Sequence, residues 1–204
     1  EYMAAILSHN LSDQKKVNFF IEECKRMGIQ VLGPDVNESL SDFSVNTDGQ
    51  IRFGLQAIKG IGGAVCEAIV EEREANGAFK SFFDFLSRVA TRSINTKTLE
   101  ALAYTGAFDQ LTEGKRSLFF AEEDGKSFLE KAVRYASSLH ESRNSAQVSL
   151  FGDDTSVSLP EPQMPEETPW PRMYKLKKER EYLSIYLSSH PLDDYKKEME
   201  LFTN

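Results

Sequence analysis

A glycine-rich turn at residues 57–63 constrains this chain more than any other stretch of its sequence. It reads Ala57-Ile58-Lys59-Gly60-Ile61-Gly62-Gly63 and leads directly into the helix-compatible segment 64–73. Glycine takes positive φ without steric cost and lets a second surface approach the backbone, so Gly60 and Gly62 suit a tight turn. The pattern predicts a helix-hairpin-helix unit, in which one helix ends, the chain turns and a second helix begins.

The start of that second helix has the chemistry of an anion site. Its first N–H groups lack partners within the helix and lie at the positive end of the helix dipole. A DNA phosphate is the predicted ligand, and the residues predicted to bind it are Lys59, Gly60, Ile61, Gly62 and Gly63. A turn that only joins two packed helices also fits the spacing. A nucleotide-binding P-loop does not, because its Gly-Lys-Ser/Thr ending is missing.

A second and weaker unit of the same kind follows. Residues 81–84 fit a capping box at the start of one helix, Asn95 is suited to cap the next, and Gly106 to end it. This hairpin lacks the Gly-x-Gly pattern, so its DNA contacts are expected from three cationic side chains, Arg88, Arg92 and Lys97. The alternative is that these three are ordinary solvated charges.

The charge balance limits how strongly the chain can hold DNA. The net charge is −8, which excludes a uniformly basic protein that coats nucleic acid. Residues 48–110 contain seven Lys and Arg against eight Asp and Glu. Few phosphates would therefore be neutralised, and binding is expected to be weak, sensitive to salt and independent of base sequence.

The chain offers little for catalysis or metal binding. Its two cysteines, Cys24 and Cys66, are far apart and its three histidines are scattered, so neither a disulfide framework nor a zinc site is expected. No cofactor is predicted. No apolar run approaches the roughly 18 residues that span a bilayer, so no membrane partner and a cytoplasmic location are expected. Because the chain opens on Glu1 inside an apolar pattern, we interpret it as an internal fragment.

Periodicity and composition give the expected architecture. Helical spacing dominates, while the alternation on either side of Asp48-Gly49 predicts a β-hairpin. The serines, prolines and acids between 141 and 169 indicate a flexible linker, and Leu187 still fits helical spacing in the last segment. The fold class is therefore mainly α with a small β hairpin and a tandem helix-hairpin-helix platform. The predicted domains are 1–47, 48–140, 141–169 and 170–204.

One apolar pentapeptide stands out in the predicted linker. It is Gln147-Val148-Ser149-Leu150-Phe151, in a polar stretch that offers these side chains no core. It resembles the peptide by which bacterial proteins bind the sliding clamp, which has glutamine, two variable positions, leucine and phenylalanine. The predicted clamp-binding residues are Gln147, Ser149, Leu150 and Phe151. A weak anchor on the chain's own surface is the alternative.

Several stretches in order resemble the alpha (catalytic) subunits of bacterial DNA polymerase III. They include Glu1–Leu7, Phe20–Ile29, Gly33–Ser39, Ile51–Gly60, Leu99–Leu102, Gly106–Asp109, Glu179–Glu181 and Tyr186–Asp193. The resemblance implies that 1–47 is the end of the fingers, and that a DNA-directed DNA polymerase with Mg²⁺ in an upstream palm is the parent. It also implies a following nucleic-acid-binding barrel, duplex DNA, the sliding clamp and other holoenzyme subunits as partners. The linker after Phe151 matches no motif of the family.

Two readings of a different class remain. A free-standing helix-hairpin-helix repair factor would have the same turn, but the polymerase-like flanks disfavour it. A helical spacer whose hairpins never meet DNA would show no DNA binding that depends on salt and on Lys59.

Overall fold

The computed structural model describes residues 1–89, 94–123, 125–139, the backbone of 140–148, residues 161–195 and residue 201. The helices are α1 Tyr2–His9, α2 Gln14–Arg26, α3 Gly63–Asn76, α4 Phe82–Arg88, α5 Thr96–Thr105, α6 Phe128–Val148 and α7 Arg172–Leu183. The strands are β1 Val31–Leu32, β2 Ser44–Val45, β3 Ile51–Arg52, β4 Glu122–Glu123 and β5 Lys126–Ser127. Short 3₁₀ turns occupy Leu55–Ala57, Asp109–Leu111, Arg116–Phe120 and Pro191–Tyr195. The mainly helical fold class is confirmed.

Local signals fix the ends of several helices as the sequence predicts. The Ser81 hydroxyl accepts a hydrogen bond from the Asp84 N–H, and the Asn95 side chain accepts one from the Thr98 N–H, so both cap the helices that follow them. Gly28, with φ +71°, follows α2, and Gly106, with φ +84°, ends α5. These contacts satisfy backbone groups that a helix terminus leaves without partners.

The small sheet has one pairing that the sequence predicts and one that it does not. Strands β2 and β3 form the antiparallel hairpin around Asp48-Gly49, with Ser44 opposite Arg52. Strand β1 pairs with β3 in parallel, with Val31 opposite Ile51. A parallel partner needs no tight turn, so nothing local in the sequence marks it. Contacts between α2 and β1 hold α2 against this sheet.

A cluster of phenylalanines forms the centre of the helical platform. Phe82 on α4 lies with its ring centroid 4.8 Å from that of Phe119 and 5.1 Å from that of Phe108. Phe85 also contacts Phe108, at 5.1 Å, and all four rings are fully buried. Most pairs meet edge to face, a geometry that contributes about 0.5–1.5 kcal/mol per pair beyond area burial. This core holds α4, α5 and α6 together.

Helix α6 is longer than the sequence suggests. It runs through Val148, so the first eight residues of the predicted linker, 141–148, are helical in backbone. The stretch from Phe128 to Val148 contains neither glycine nor proline, so nothing in it terminates a helix that packing has started. The backbone of these eight residues is therefore helical where the sequence predicts a flexible linker.

Helix α7 is shorter than the sequence suggests. It ends at Leu183 because Ser184 takes the left-handed conformation, with φ +63°, and Leu187 lies outside the helix. The Ser184 carbonyl accepts a hydrogen bond from the Asn18 side chain at 2.9 Å. Leu183 and Ile185 are both buried on either side of it. Tertiary contacts with α2 thus overrule the helical spacing of Leu187.

Candidate nucleic-acid interface

The predicted hairpin turn lies between a 3₁₀ turn, Leu55–Ala57, and the start of α3. Gly60 has φ +88°, as predicted, but Gly62 has φ −91° and ψ 159° and is the N-terminal cap of α3. The expectation of positive φ is therefore right for Gly60 and wrong for Gly62. Ile58 and Ile61 point into the core, 2 % and 6 % exposed, and anchor the turn from beneath.

No side chain covers the outer surface of the turn at Gly60 and Gly62. Packing inside the protein does not explain why glycine occupies position 62. A Cβ atom built on Gly62 would meet no atom within 4 Å in the described part of the chain, and its φ suits any residue. Gly60 also faces open space, although its positive φ favours glycine by itself. Packing in the interior thus does not require glycine at 62. The effect of this glycine is to leave the backbone accessible from outside.

The first N–H groups of α3 are available to a ligand. The Val65 and Cys66 N–H groups both donate to the Gly62 carbonyl, at 3.1 and 3.2 Å. The N–H groups of Gly62, Gly63 and Ala64 have no acceptor within the described residues. No acidic side chain lies in the first turn of α3. Donors and helix dipole together make this end of α3 attractive to an anion.

The hairpin is fixed to a part of the chain distant in sequence. The Lys59 N–H donates to the Tyr182 carbonyl in the last turn of α7, at 2.9 Å. This bond caps α7 and leaves the exposed Lys59 side chain free to move. Sequence reasoning missed the contact, because no local pattern connects residues 59 and 182.

Of the three cations predicted for the second hairpin, Arg88 is engaged within the protein. The Arg88 guanidinium donates to the Glu72 carboxylate at 2.9 Å, to Asp84 at 3.1 Å and to the Gly77 carbonyl at 2.7 Å. It also lies 4.5 Å from the Phe79 ring centroid. Arg88 therefore closes the end of α3, and a role for it in DNA binding stays a prediction. With the Ala78 and Glu72 carbonyls it has five acceptors in all, which match the five N–H donors of a guanidinium.

Of the other two predicted cations, the structure describes Lys97 but not Arg92. Lys97 is exposed on the first turn of α5, where a phosphate contact is sterically possible. Arg92 lies outside the described residues, as does the rest of the turn at 90–93. The contribution of Lys97 and Arg92 to DNA binding stays a prediction.

A buried loop holds α3 against the N-terminal part of the chain. Arg73 on α3 donates to the Val36 and Ser39 carbonyls, at 2.9 and 3.0 Å. Within this loop the Asp35 carboxylate, 4 % exposed, accepts from the Asn37 N–H at 2.7 Å. Burial raises the pKa of Asp35 to about 6, against the lowering effect of that hydrogen bond. Asp35 is thus part of a turn that sets the direction of α3.

A charged network joins α7 to the helical platform. Arg116, 8 % exposed, donates to both oxygens of Asp109 and to the Glu179 carboxylate at 3.1 Å. The second oxygen of Glu179, which is 1 % exposed, accepts from the Ser188 N–H and hydroxyl. Burial acts to lower the pKa of Arg116, but its two carboxylate partners outweigh it and raise that pKa. Glu179 belongs to one of the stretches that resemble the polymerase family, but no local pattern in the sequence predicts its ion pair with Arg116.

The remaining predicted sites lie largely beyond the described side chains. Gln147 belongs to the last turn of α6 in backbone only, and Ser149, Leu150 and Phe151 lie outside the described residues. The described residues contain no group of three or more His, Cys, Asp or Glu side chains that could hold a metal ion. None of their helices is both long and apolar enough to cross a membrane.

Comparison with known proteins places these features in context. A family model described as a helix-hairpin-helix motif matches residues 28–118. The chain is 37 % identical over 205 residues to DNA polymerase III subunit alpha of Vibrio cholerae and 36 % identical over 207 residues to that of Escherichia coli K12. It is 39 % identical over 199 residues to that of Saccharopolyspora erythraea. These matches cover 95–100 % of this chain but only 16–17 % of the relatives, so the chain spans about a sixth of their length.

Proposed function

We propose that this chain, which is homologous over its full length to a segment of the bacterial DNA polymerase III alpha subunits, grips the backbone of duplex DNA through its first hairpin. One observation carries the proposal. Three N–H groups at the start of α3 have no acceptor in the described part of the chain, and they lie behind a surface that glycines keep bare, next to the exposed Lys59. The whole enzyme is then a DNA-directed DNA polymerase whose Mg²⁺ chemistry belongs to the part outside this chain.

The grip works by electrostatics and close approach. A phosphate oxygen that reaches the N–H groups of Gly62, Gly63 and Ala64 gains charge-assisted hydrogen bonds and the favourable end of the α3 dipole. Because only backbone donors and one lysine take part, the contact reads no bases. A polymerase needs such a grip, since it must move over every sequence.

Replacing Gly62 by Asp tests this grip against the idea of a mere turn. Asp at an N-terminal cap accepts from the N–H groups two or three residues on, so Gly62→Asp should preserve or raise thermal stability. The same carboxylate occupies the anion site and repels phosphate. We expect the affinity for a duplex of about 20 base pairs to fall at least about tenfold, measured by fluorescence anisotropy at low salt.

A matched variant distinguishes the effect of blocking the anion site from the effect of changing the net charge. Lys15→Gln changes the net charge by the same single unit on α2, far in sequence from the hairpin, and should leave DNA affinity within about twofold. Equal loss in both variants, or no DNA binding by the unchanged chain, would favour the helical spacer over the DNA grip. A repair factor is disfavoured by the homology of the whole chain to a polymerase subunit.

A second contact completes the proposed role. The spacing of a clamp-binding peptide is present in Gln147, Leu150 and Phe151. We propose that these residues tether the polymerase to the sliding clamp on the same duplex. The other holoenzyme subunits are proposed as further partners of the whole polymerase. A weak contact with the duplex and a weak contact with the clamp suffice together, because a short tether gives an effective concentration in about the millimolar range. Changing all three residues to Ala should abolish clamp binding measured by surface plasmon resonance. Clamp binding that survives in this variant would remove the tether from the proposal.

A further inference from the structure

An open groove of about 600 Å³ runs along the outer side of α7. Its walls include Met173, Tyr174 and Tyr186, and two cations, Lys177 and Arg180, lie at its edge. Met173 is 54 % exposed and Tyr174 is 40 % exposed, so the groove shows apolar surface to the solvent. Small-molecule and cofactor sites usually have volumes of about 300–1,000 Å³, so this groove has room for one base and its sugar.

The cations of the groove are not neutralised by their own helix. Helix α7 contains five Lys and Arg against two Glu, in a chain whose net charge is −8. Both glutamates are engaged: Glu179 with the buried Arg116, and Glu181 with Lys178. Lys177 is exposed and has no ion-pair or hydrogen-bond partner among the described residues. The edge of the groove is therefore left positively charged.

The second cation is held in a useful place by an uncharged partner. Arg180 donates to the Tyr186 hydroxyl at 2.8 Å and its guanidinium carbon lies 5.2 Å from the centroid of the same ring. These contacts fix the side chain and leave its charge uncompensated. Lys177 and Arg180 are three residues apart, which places them on one face of the helix.

We propose that this groove binds a segment of single-stranded DNA. One base would lie against the apolar wall of Met173 and the tyrosines, while Lys177 and Arg180 hold the phosphates on either side. Aromatic surface next to a positively charged track is the combination that binds single strands without regard to sequence. A duplex cannot use it, because its bases are stacked inside. An acidic peptide would satisfy the cations but would leave the flat apolar wall without a matching planar group.

The position of the groove fits this ligand. The last turn of α7 is joined to the hairpin through the bond from the Lys59 N–H to the Tyr182 carbonyl. Met173 lies nine residues before Tyr182, which is about 14 Å along a helix. A single strand in the groove would therefore lie next to the proposed duplex site. The inference rests on the proposed function only in taking DNA as the nucleic acid present.

The test uses three oligomers and two charge variants of the full 204-residue chain. The oligomers are a labelled 12-mer of thymidylate, an abasic phosphodiester of the same length and a polyglutamate peptide of equal charge. Lys177→Glu reverses the charge at the groove. Lys175→Glu reverses a charge on the same helix that does not line the groove. Affinities are measured by fluorescence anisotropy, and duplex binding is followed in parallel with Gly62→Asp.

The expected pattern is specific to the groove. The thymidylate 12-mer should bind at least about fivefold more tightly than the abasic oligomer, because stacking contributes to each bound base. Lys177→Glu should lose at least about fivefold for the 12-mer, Lys175→Glu less than about twofold, and Gly62→Asp should weaken the duplex but not the single strand. Equal loss in the two lysine variants, equal binding of the abasic oligomer or of polyglutamate, or no binding of the 12-mer would each overturn the proposal. Because the duplex is measured separately, failure of the groove and failure of the hairpin give different results.

Discussion

A buried carboxylate makes the stability of this chain depend on pH in an unusual direction. Asp35 is 4 % exposed, and burial raises its pKa from 3.8 to about 6. Between those two values the folded state binds a proton more readily than the unfolded state, so this group contributes stability that is present at pH 4 and lost as pH rises through 6. Most carboxylates with an ion-pair partner behave in the opposite way.

Asp35→Asn should isolate this effect. Asparagine can still accept the hydrogen bond from the Asn37 N–H but cannot ionise. We expect the gain in stability of the variant over the unchanged chain to be larger at pH 8 than at pH 4.5 by roughly 2 kcal/mol. Urea unfolding at both pH values measures the difference. A constant difference across that range would show that Asp35 does not titrate there.

Two glycines that both have a positive φ should respond very differently to alanine. At Gly106, with φ +84°, an added Cβ would fall on the buried Arg116 guanidinium, whereas at Gly28, with φ +71°, it meets nothing within 4 Å. Gly28→Ala should cost about 1–2 kcal/mol through backbone strain alone. Gly106→Ala should cost about 3–5 kcal/mol, since it also displaces one partner of a buried ion pair. Chemical denaturation compares them, and equal losses would mean that Arg116 moves aside freely.

At the scale of elements, Glu179 links α7 to the platform through a buried ion pair with Arg116. Glu179→Gln would leave Arg116 with Asp109 as its one carboxylate partner among the residues that the structure describes. Breaking a buried ion pair of this kind usually costs about 3–5 kcal/mol. Because Asp109 remains, we expect about 3 kcal/mol, measured by urea unfolding. Glu181→Gln breaks a pair with Lys178 whose glutamate is half exposed and should cost under about 1 kcal/mol. Similar losses would show that burial does not strengthen the Arg116 contact.

Elements whose signals are local could be predicted from the sequence, while their contacts with distant elements could not. The turn at Gly60, the caps at Ser81 and Asn95 and the β2–β3 hairpin each depend on residues within a few positions. The parallel pairing of β1, the early end of α7 and the contact of Tyr182 with Lys59 depend on partners from 20 to more than 120 residues away. Arg88 shows the same limit at a site, because its partners on α3 turned a surface cation into a structural one.

For the whole molecule, the number of phosphates that the chain contacts sets how strongly DNA binding depends on salt. The first hairpin contacts one or two phosphates in our proposal, and each contributes about −0.9 to the slope of log K against log salt concentration. We therefore expect a slope of about −1 to −2 for the duplex, and a decrease of about one in its magnitude for Lys59→Gln. Titrations between 50 and 200 mM salt would measure it. A slope as steep as about −5 would require many more phosphate contacts than this platform offers.

The bond between Lys59 and Tyr182 joins one main chain to another. No substitution of either side chain removes its donor or its acceptor, unless proline replaces Lys59. A substitution at position 59 can therefore change the proposed grip on DNA without disturbing the direction in which the hairpin points. The direction of this turn and its proposed affinity for phosphate can therefore change independently of each other.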